Sequence, residues 1–352
     1  MRRWIAASLV AGGAMSAEAG PVNSLRPVPR PEALSQPAPA TEQHIELTTA
    51  NGQRPVARPV SAANTQAAPV LGFDDWLHAF RARALAQGID PQVLDAAFAD
   101  VRPDPDVIRR DRNQSEFTKT IWDYLDSAAS DLRVKNGKAA LRKLQARLEQ
   151  IEAQYGVEKE IVVAIWGLES SYGSFRGDMD VIRSLATLAH DGRRSAFFEG
   201  QLLAALQILQ SGDVAARQMT GSWAGAMGHT QFMPTSYLDH AVDFTSDGKR
   251  DIWSDGPADA LASTANYLKH FGWVSGQPWG IEVALPDGFD YTLANREIEK
   301  SAADWARLGV KALDGKPLLD HGPASVLLPA GSKGAAFLIF GNFAVLERYN
   351  TA

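Results

Sequence analysis

Apolar residues recur at helical spacing over most of the chain between residues 73 and 271, which restricts the folds open to it. In FDDWLHAFRARALAQGI the large apolar residues fall on one helical face, with Asp74 as the expected cap. The same pattern predicts helices in DPQVLDAAFADV, SEFTKTIWDYLDSAAS, GKAALRKLQARLEQIEAQYG, FEGQLLAALQILQSG and DALASTANYLKHFGW. A hydrophobic fraction of 45% in 352 residues can fill a sizeable core, so the expected fold class is mainly α.

Three features refine this helical pattern. Asp90-Pro91 reads as an N-cap followed by the first helical residue. The segment from Gly137 to Gly156 reads as one long amphipathic helix, with four apolar residues on one face: Leu141, Leu144, Leu148 and Ile151. A further helix is expected from about Glu158 to Ser171.

The residue pattern changes after Gly280. IEVALP, SVLLPA and AAFLIF are short β-prone runs between turn signals, and SAADWARLGV between them predicts a short helix. We expect a small β-containing lobe at about residues 281–345, beside a helical core at about residues 150–280. Both belong to one folded unit over residues 71–352.

The N-terminal part has a different composition. Arg2 and Arg3 precede an apolar run that is too short to span a membrane, and Ala17-Glu18-Ala19 is a small-x-small cleavage pattern. Residues 1–19 are therefore expected to be a signal peptide; the alternative is a buried N-terminal helix. Residues 20–70 are rich in Pro, Ala, Gln and Ser without an apolar period, which indicates a disordered linker. The mature protein is expected to be exported and soluble, without a membrane anchor.

Charge and cysteine content exclude several classes of site. The net charge of −6 argues against a nucleic-acid partner, which needs a basic face. The chain has no cysteine, so it has no disulfide, no thiolate metal site and no thiol for lipid attachment.

Glu169 in VVAIWGLESSYGSF is a carboxylate on the apolar stripe of a helix. It shares a face with Val162, Ile165 and Trp166. Burying a carboxylate costs several kcal/mol, so its pKa rises or it finds a partner, and a protonated Glu suits a general acid. Position alone does not separate this from a buried Glu paired with an arginine or capping a helix end. Gly167 and the SSYG helix end favour a site, because small residues admit a substrate and Tyr172 can line a cleft.

GSWAGAMGHTQFMPTSY, residues 221–237, combines small residues, neutral hydrogen-bonding groups and aromatic rings. Glycines permit close backbone approach and positive φ. Neutral donors beside flat rings suit a sugar carrying N-acetyl groups, whereas phosphate would call for Lys or Arg. The alternative is a tightly packed Gly/Ala loop in a core. The relevant residues are Gly221, Gly225 and Gly228, then Ser222, His229 and Gln231, and then Trp223, Phe232 and Tyr237.

DFTSDGKRDIWSD, residues 243–255, has the spacing of an EF-hand-like calcium loop. Carboxylate or hydroxyl residues occupy positions 1, 3, 5 and 9, with Gly248 at position 6 and the carbonyl of Lys249 at position 7. Position 12 is Ser254, so the last carboxylate must come from Asp255 or Asp259. An ordinary Asp/Gly turn is the alternative; a calcium ion here would be structural.

Several motifs in this order resemble the B-type lytic murein transglycosylases, glycoside hydrolase family 103, over about residues 71–352. They are IVVAIWGLESSYG, RSLATLA, GSWAGAMGHTQFMPTSY, AVDFTSDGKRDIW, DALASTANYLKHFGW and the terminal RYN. The resemblance implies a lysozyme-like helical fold. It also implies cleavage of the β-1,4 bond between N-acetylmuramic acid and N-acetylglucosamine, with formation of 1,6-anhydromuramic ends.

The resemblance also implies roles for individual residues. Glu169 would be the single catalytic acid and then base, with the muramyl N-acetyl group as internal nucleophile, so no cofactor takes part in catalysis. The glycan strand would be held by Ser222, Gln231, Tyr267, Tyr349 and Asn350. The calcium loop would comprise Asp243, Thr245, Asp247, Lys249 and Asp259.

Two alternatives remain open from the sequence. A lysozyme-type hydrolase would use the same Glu169 with water as the nucleophile, and an inactive glycan-binding module would keep the cleft without needing Glu169. The expected partner in each case is peptidoglycan, the expected location is the periplasm, and the expected state is a monomer.

Overall fold

The computed structural model describes residues 72–113 and 121–350, with backbone only for residues 121–124. The expected signal peptide, residues 1–19, and the linker, residues 20–70, lie outside this part of the chain. Its helices are α1 Phe73–Ala86, α2 Pro91–Phe98, α3 Pro105–Arg112, α4 Ile121–Ala128, α5 Asp131–Lys143, α6 Gln145–Tyr155, α7 Lys159–Ser170, α8 Val181–Asp191, α9 Ser195–Ser211, α10 Pro234–His240, α11 Ala258–His270, α12 Ala302–Arg307 and α13 Gly341–Tyr349.

The strands form two small sheets. β1 Met179–Asp180 pairs with β2 Thr220–Gly221, antiparallel. The second sheet has the order β4-β3-β6-β5, and its neighbours are all antiparallel. Its strands are β3 Gly280–Ala284, β4 Lys311–Ala312, β5 Ser325–Leu327 and β6 Ala336–Ile339. The mainly α fold with a small β-containing lobe is therefore confirmed.

Two details of the helix prediction were wrong. The long helix is divided into α5 and α6, because Leu144 leaves the helical region with φ −107° and ψ 15°. Asp74 lies in the first turn of α1, and the capping position is Gly72. The prediction that Asp90 and Pro91 open α2 as N-cap and first helical residue is confirmed, although the Asp90 side chain makes no capping hydrogen bond.

One large hydrophobic core lies among the helices, with contributions from Trp76 in α1 through to Val345 in α13. α8 is its centre, since eight of its eleven residues are buried. Asp180 caps this helix by accepting a hydrogen bond from the backbone N–H of Arg183. No helix among the described residues combines the length and apolar character that a bilayer crossing requires.

A second hydrophobic cluster fills the β-containing lobe around Trp305, whose indole N–H donates to the Ala324 carbonyl at 2.8 Å. The lobe joins the helical core at the turn that follows α11. Glu158 accepts hydrogen bonds there from the indole of Trp273 and the N–H of Gly276. The buried side chain of Asn342 bonds both the N–H and the carbonyl of Val274. The start of α7 and the start of α13 are thus fixed to the same turn.

Candidate active site

Glu169 lies in the last turn of α7 and is half-buried. Burial raises the pKa of the Glu169 carboxyl to about 7, and a hydrogen bond from the Asn350 side chain opposes this by lowering it. A carboxyl with this pKa exchanges a proton near neutral pH, as a residue acting as both acid and base must.

The turn after Glu169 is strained. Ser171, Tyr172 and Gly173 have successive positive φ angles of 50°, 61° and 81°. A non-glycine residue held in this region costs about 1–3 kcal/mol and persists only where its surroundings determine it. The N–H groups of Ser171 and Tyr172 bond the carbonyls of Gly167 and Trp166, which closes the helix end.

Tyr172 and Gly167 have roles other than those expected from the sequence. A Cβ on Gly167 would lie 2.6 Å from the Tyr172 ring, so this glycine makes room for the ring. The Tyr172 hydroxyl donates to the Arg133 carbonyl at 2.7 Å, and Arg133 donates to the Gly167 carbonyl at 2.7 Å. These residues join α5 to the end of α7. In the structure Tyr172 therefore packs between these two helices, whereas the sequence suggested that it lines a cleft.

His229 supports the strained turn from the other side. The indole N–H of Trp166 donates to its Nδ1 at 3.1 Å, and its Nε2 lies 2.7 Å from the Ser254 carbonyl. An indole can only donate and a carbonyl can only accept, so the ring is neutral with the proton on Nε2. Burial also lowers the pKa of His229. A Cβ on Gly173 would lie 2.5 Å from this ring, which explains the glycine.

Substitution of His229 can distinguish the contributions of its hydrogen bonds to Trp166 and to Ser254. His229→Asn keeps an acceptor near the Nδ1 position for Trp166. His229→Phe leaves the Trp166 indole N–H without an acceptor and the Ser254 carbonyl without a donor. Since an unsatisfied buried polar group costs about 1–3 kcal/mol, we expect His229→Phe to lower the free energy of unfolding by about 2–4 kcal/mol and His229→Asn by less. Urea denaturation measures both; equal losses would show that the Trp166 bond contributes nothing.

Residues from the end of α13 reach the carboxyl of Glu169. Asn350 supplies the hydrogen bond, and the negative charge of Glu169 together with burial raises the pKa of the Tyr349 phenol. The Tyr349 hydroxyl donates to the Thr230 carbonyl at 2.8 Å. Tyr267 packs edge-on against Tyr349 at 5.0 Å between centroids, and its hydroxyl donates to the Arg348 carbonyl. The structure therefore brings together Glu169, Tyr267, Tyr349 and Asn350.

Ser222 and Gln231 bond within their own loop. The Ser222 hydroxyl accepts from the N–H groups of Ala224 and Ala226, and among the described residues it has no hydrogen bond to Glu169. The Gln231 side chain donates to the carbonyls of Arg176 and Gly228. The Gln231 backbone has φ 55°, so its position is also strained. These bonds hold the loop against the turn after Glu169.

Three of the expected metal ligands converge. Asp243, Asp247 and Asp259 each offer a carboxylate oxygen within 4.8 Å of the others. Asp259 is 2% exposed and accepts from the N–H groups of Phe244, Thr245 and Asp251. Burial raises the pKa of Asp259, the three N–H bonds lower it, and the charge of Asp243 raises it again.

The remaining loop residues contribute less to this cluster. Asp251 turns its carboxylate to the N–H groups of Trp253 and Ser254. Asp255 is 99% exposed at its side chain and pairs with Arg176. Of the two carboxylates that the sequence left open, Asp259 is therefore the one at the cluster. The Thr245 hydroxyl lies 3.5 Å from Asp243, and the Lys249 N–H donates to Asp247.

Sequence reasoning missed the framework around Glu169. Trp166, Arg133 and Arg176 bond the turn or the histidine, yet a lone Arg or Trp carries no positional signal in sequence. The one available signal was the run SSYGSF, in which polar and glycine residues follow an apolar helix directly.

Comparison with known proteins adds four similarities. A family model described as the transglycosylase SLT domain matches residues 72–352. The chain is 32% identical over 279 residues to the membrane-bound lytic murein transglycosylase B of Escherichia coli strain K12, covering 75% of this chain and 74% of the relative. SltB3 from Pseudomonas aeruginosa in complex with NAG-NAM-pentapeptide is 55% identical with a TM-score of 0.77, over 80% of this chain and 76% of that one. Lytic transglycosylase SLT35 from Escherichia coli in complex with calcium is 31% identical with a TM-score of 0.65, over 78% and 86%.

Proposed function

Because this chain belongs to the SLT-domain transglycosylase family, we propose that it is a peptidoglycan lytic transglycosylase with Glu169 as its single catalytic acid and base. It acts on the glycan strands of peptidoglycan, at the β-1,4 bond between N-acetylmuramic acid and N-acetylglucosamine. The observation that carries the role of Glu169 is its half-buried carboxyl, whose pKa is about 7.

The reaction needs no second carboxylate. Protonated Glu169 gives its proton to the glycosidic oxygen, and the bond from that oxygen to C1 of the muramyl ring breaks. The carbonyl oxygen of the muramyl N-acetyl group attacks C1 and holds the positive charge. The Glu169 carboxylate then takes the proton of the muramyl 6-hydroxyl, whose oxygen attacks C1 and releases the acetamido group. Glu169 ends protonated, and the product carries a 1,6-anhydro bridge.

Product mass distinguishes this reaction from hydrolysis. A digest of purified sacculi should contain 1,6-anhydromuramic ends, which are lighter by one water than the reducing ends that a hydrolase forms. Mass spectrometry of the released fragments decides between them. A digest that contains only reducing ends would refute the transglycosylase and leave a muramidase that uses the same residue.

Five residues are assigned to binding of the glycan strand: Ser222, Gln231, Tyr267, Tyr349 and Asn350. Asn350 has the strongest support, because its side chain hydrogen-bonds the Glu169 carboxyl. Tyr349 lies near enough for the charge of Glu169 to raise the pKa of its phenol. Tyr267 supports the Tyr349 ring. Ser222 and Gln231 act through the loop that packs on the turn after Glu169, and the Gln231 carbonyl oxygen has no hydrogen-bond partner among the described residues.

We also propose a structural calcium ion at Asp243, Asp247 and Asp259, with Thr245 and the Lys249 carbonyl completing the loop. The donor set fits, because calcium prefers carboxylate and carbonyl oxygens and a cation would offset three converging negative charges. The ion would clamp this loop onto α11 and would supply no chemistry to the reaction.

Calcium should therefore change stability more than activity. We expect addition of calcium to a chelated sample to raise Tm by about 5 °C or more, since binding at 100 times Kd stabilises by about 2.7 kcal/mol. Asp247→Asn should remove most of this rise. Asp287→Asn, an exposed aspartate in the β-containing lobe, is the control and should keep it. A Tm that does not respond to calcium in the parent protein would overturn the assignment.

For its location, we propose export to the periplasm through residues 1–19, with residues 20–70 as a linker and a monomeric mature protein. The support is the basic and apolar composition of the N-terminus and the location of the substrate outside the cytoplasm.

A further inference from the structure

Phe175 is an exposed aromatic residue close to the catalytic carboxyl. Its relative exposure is 75%, the highest of the exposed large hydrophobic residues in the described part of the chain. Leaving a phenylalanine side chain in water forgoes about 1.5–3 kcal/mol of burial free energy. Single exposed apolar residues are common on protein surfaces, so exposure alone does not assign a role.

The position of Phe175 is what separates it from an ordinary surface residue. Its backbone N–H donates to the carbonyl of Ser170 at 2.9 Å, and Ser170 is the residue next to Glu169. The phenylalanine is therefore attached to the helix end that carries the catalytic acid.

The segment around Phe175 is also held firmly on both sides. Before it, the Ser170 hydroxyl donates to the His229 carbonyl at 2.5 Å and accepts from the Gly173 N–H at 2.9 Å. After it, Arg176 donates to the Ser254 carbonyl at 3.1 Å and to Asp255 at 3.0 Å. Backbone strain concentrates at functional sites, where the surroundings fix a residue in place. Here a strained and fully anchored turn presents one aromatic ring to solvent.

From this combination we propose that Phe175 is a sugar-stacking platform, whose ring binds the apolar C–H face of a pyranose ring next to the bond that is cleaved. The inference rests on the proposed function, because the occupant is the same glycan strand. The negative face of an aromatic ring attracts the weakly positive C–H groups of a sugar. Because the turn is already ordered, little conformational entropy is lost when the sugar binds. Phe175 would contribute to binding and not to proton transfer.

The test measures binding in a background without turnover. In Glu169→Gln protein, the variants Phe175→Ala and Phe175→Tyr are compared for Kd on peptide-free glycan oligosaccharides by calorimetry. We expect Phe175→Ala to weaken binding by about tenfold, which is 1.4 kcal/mol, and Phe175→Tyr to stay within about twofold because it keeps the ring. Phe197→Ala, which truncates a 48% exposed phenylalanine in α9, is the matched control and should change nothing.

The same substitutions in active protein separate binding from chemistry. Phe175→Ala should raise KM for solubilised glycan by about tenfold, with kcat within about twofold of the parent. Unchanged Kd and KM in Phe175→Ala would refute the stacking role of Phe175 but would not affect the proposed role of Glu169. Loss of binding in both Phe175→Ala and Phe175→Tyr with an unchanged Tm would also overturn it, since the ring would then not be the cause. Turnover by Glu169→Gln would instead refute the proposed function.

Discussion

Replacing Glu169 with glutamine is expected to lower kcat for cleavage of purified sacculi by about 10²- to 10⁴-fold, the range for loss of a general acid. Glutamine has nearly the same shape and can still bond Asn350, but it has no proton to give to the glycosidic oxygen and no carboxylate to receive one. Release of soluble fragments, followed by chromatography, measures the loss. Glu160→Gln, in the first turn of the same helix, is the control and should retain parental kcat.

Stability provides an independent check on this variant. The pKa of Glu169 is about 7 in the folded protein, above its ordinary value of 4.5, so the native state binds more protons between these pH values. Stability of the parent therefore falls as pH rises from 4.5 to 7, by up to about 3 kcal/mol. Glu169→Gln does not titrate and should be more stable than the parent at pH 8. Turnover within tenfold of the parent, or a variant less stable at pH 8, would contradict the buried acid.

The second large effect concerns pH. Only the protonated form of Glu169 can start the reaction, and the dependence of kcat/KM on pH reports the free enzyme. With a pKa of about 7, kcat/KM should be highest below pH 7 and should fall about tenfold for each further pH unit, so that it is about a hundredfold lower at pH 9. Initial rates on solubilised glycan in constant ionic strength give this profile.

A change in the surroundings of the Glu169 carboxyl should shift the pH midpoint of the kcat/KM profile in a defined direction. The Asn350 hydrogen bond lowers the pKa of Glu169, so Asn350→Leu should move the descending limb to higher pH even if it also raises KM. Glu160→Gln should leave the limb in place. A parental profile that stays flat from pH 6 to pH 9 would exclude Glu169 as the group that donates the proton.

Most helices could be predicted from their apolar spacing, but one helix and one helix break could not. α9 and α11 were expected from their apolar spacing, as were the three main strands of the lobe. α8 was not recognised as a helix, because its run RSLATLA was interpreted only as part of the family resemblance. The break at Leu144 was also missed, since the apolar period continues through it.

The same limits apply to the candidate site. Glu169 could be predicted as the candidate acid, because a carboxylate on an apolar stripe is unusual in local sequence. The framework that holds it could not. His229, Trp166 and the Phe175 turn meet through contacts between segments more than 50 residues apart, and residue type alone does not state its partner. For the calcium loop, the choice between Asp255 and Asp259 depended on where the chain turns after Trp253.

The hydrogen bond between Glu169 and Asn350 joins positions 181 residues apart (350 − 169). Contacts of such large sequence separation require long loop closure and tend to form late in folding. An incompletely folded chain would then lack the arrangement that poises the acid, and would be unable to cut the wall that surrounds its own cell. The complete site around Glu169 therefore forms only when the chain has folded as far as Asn350.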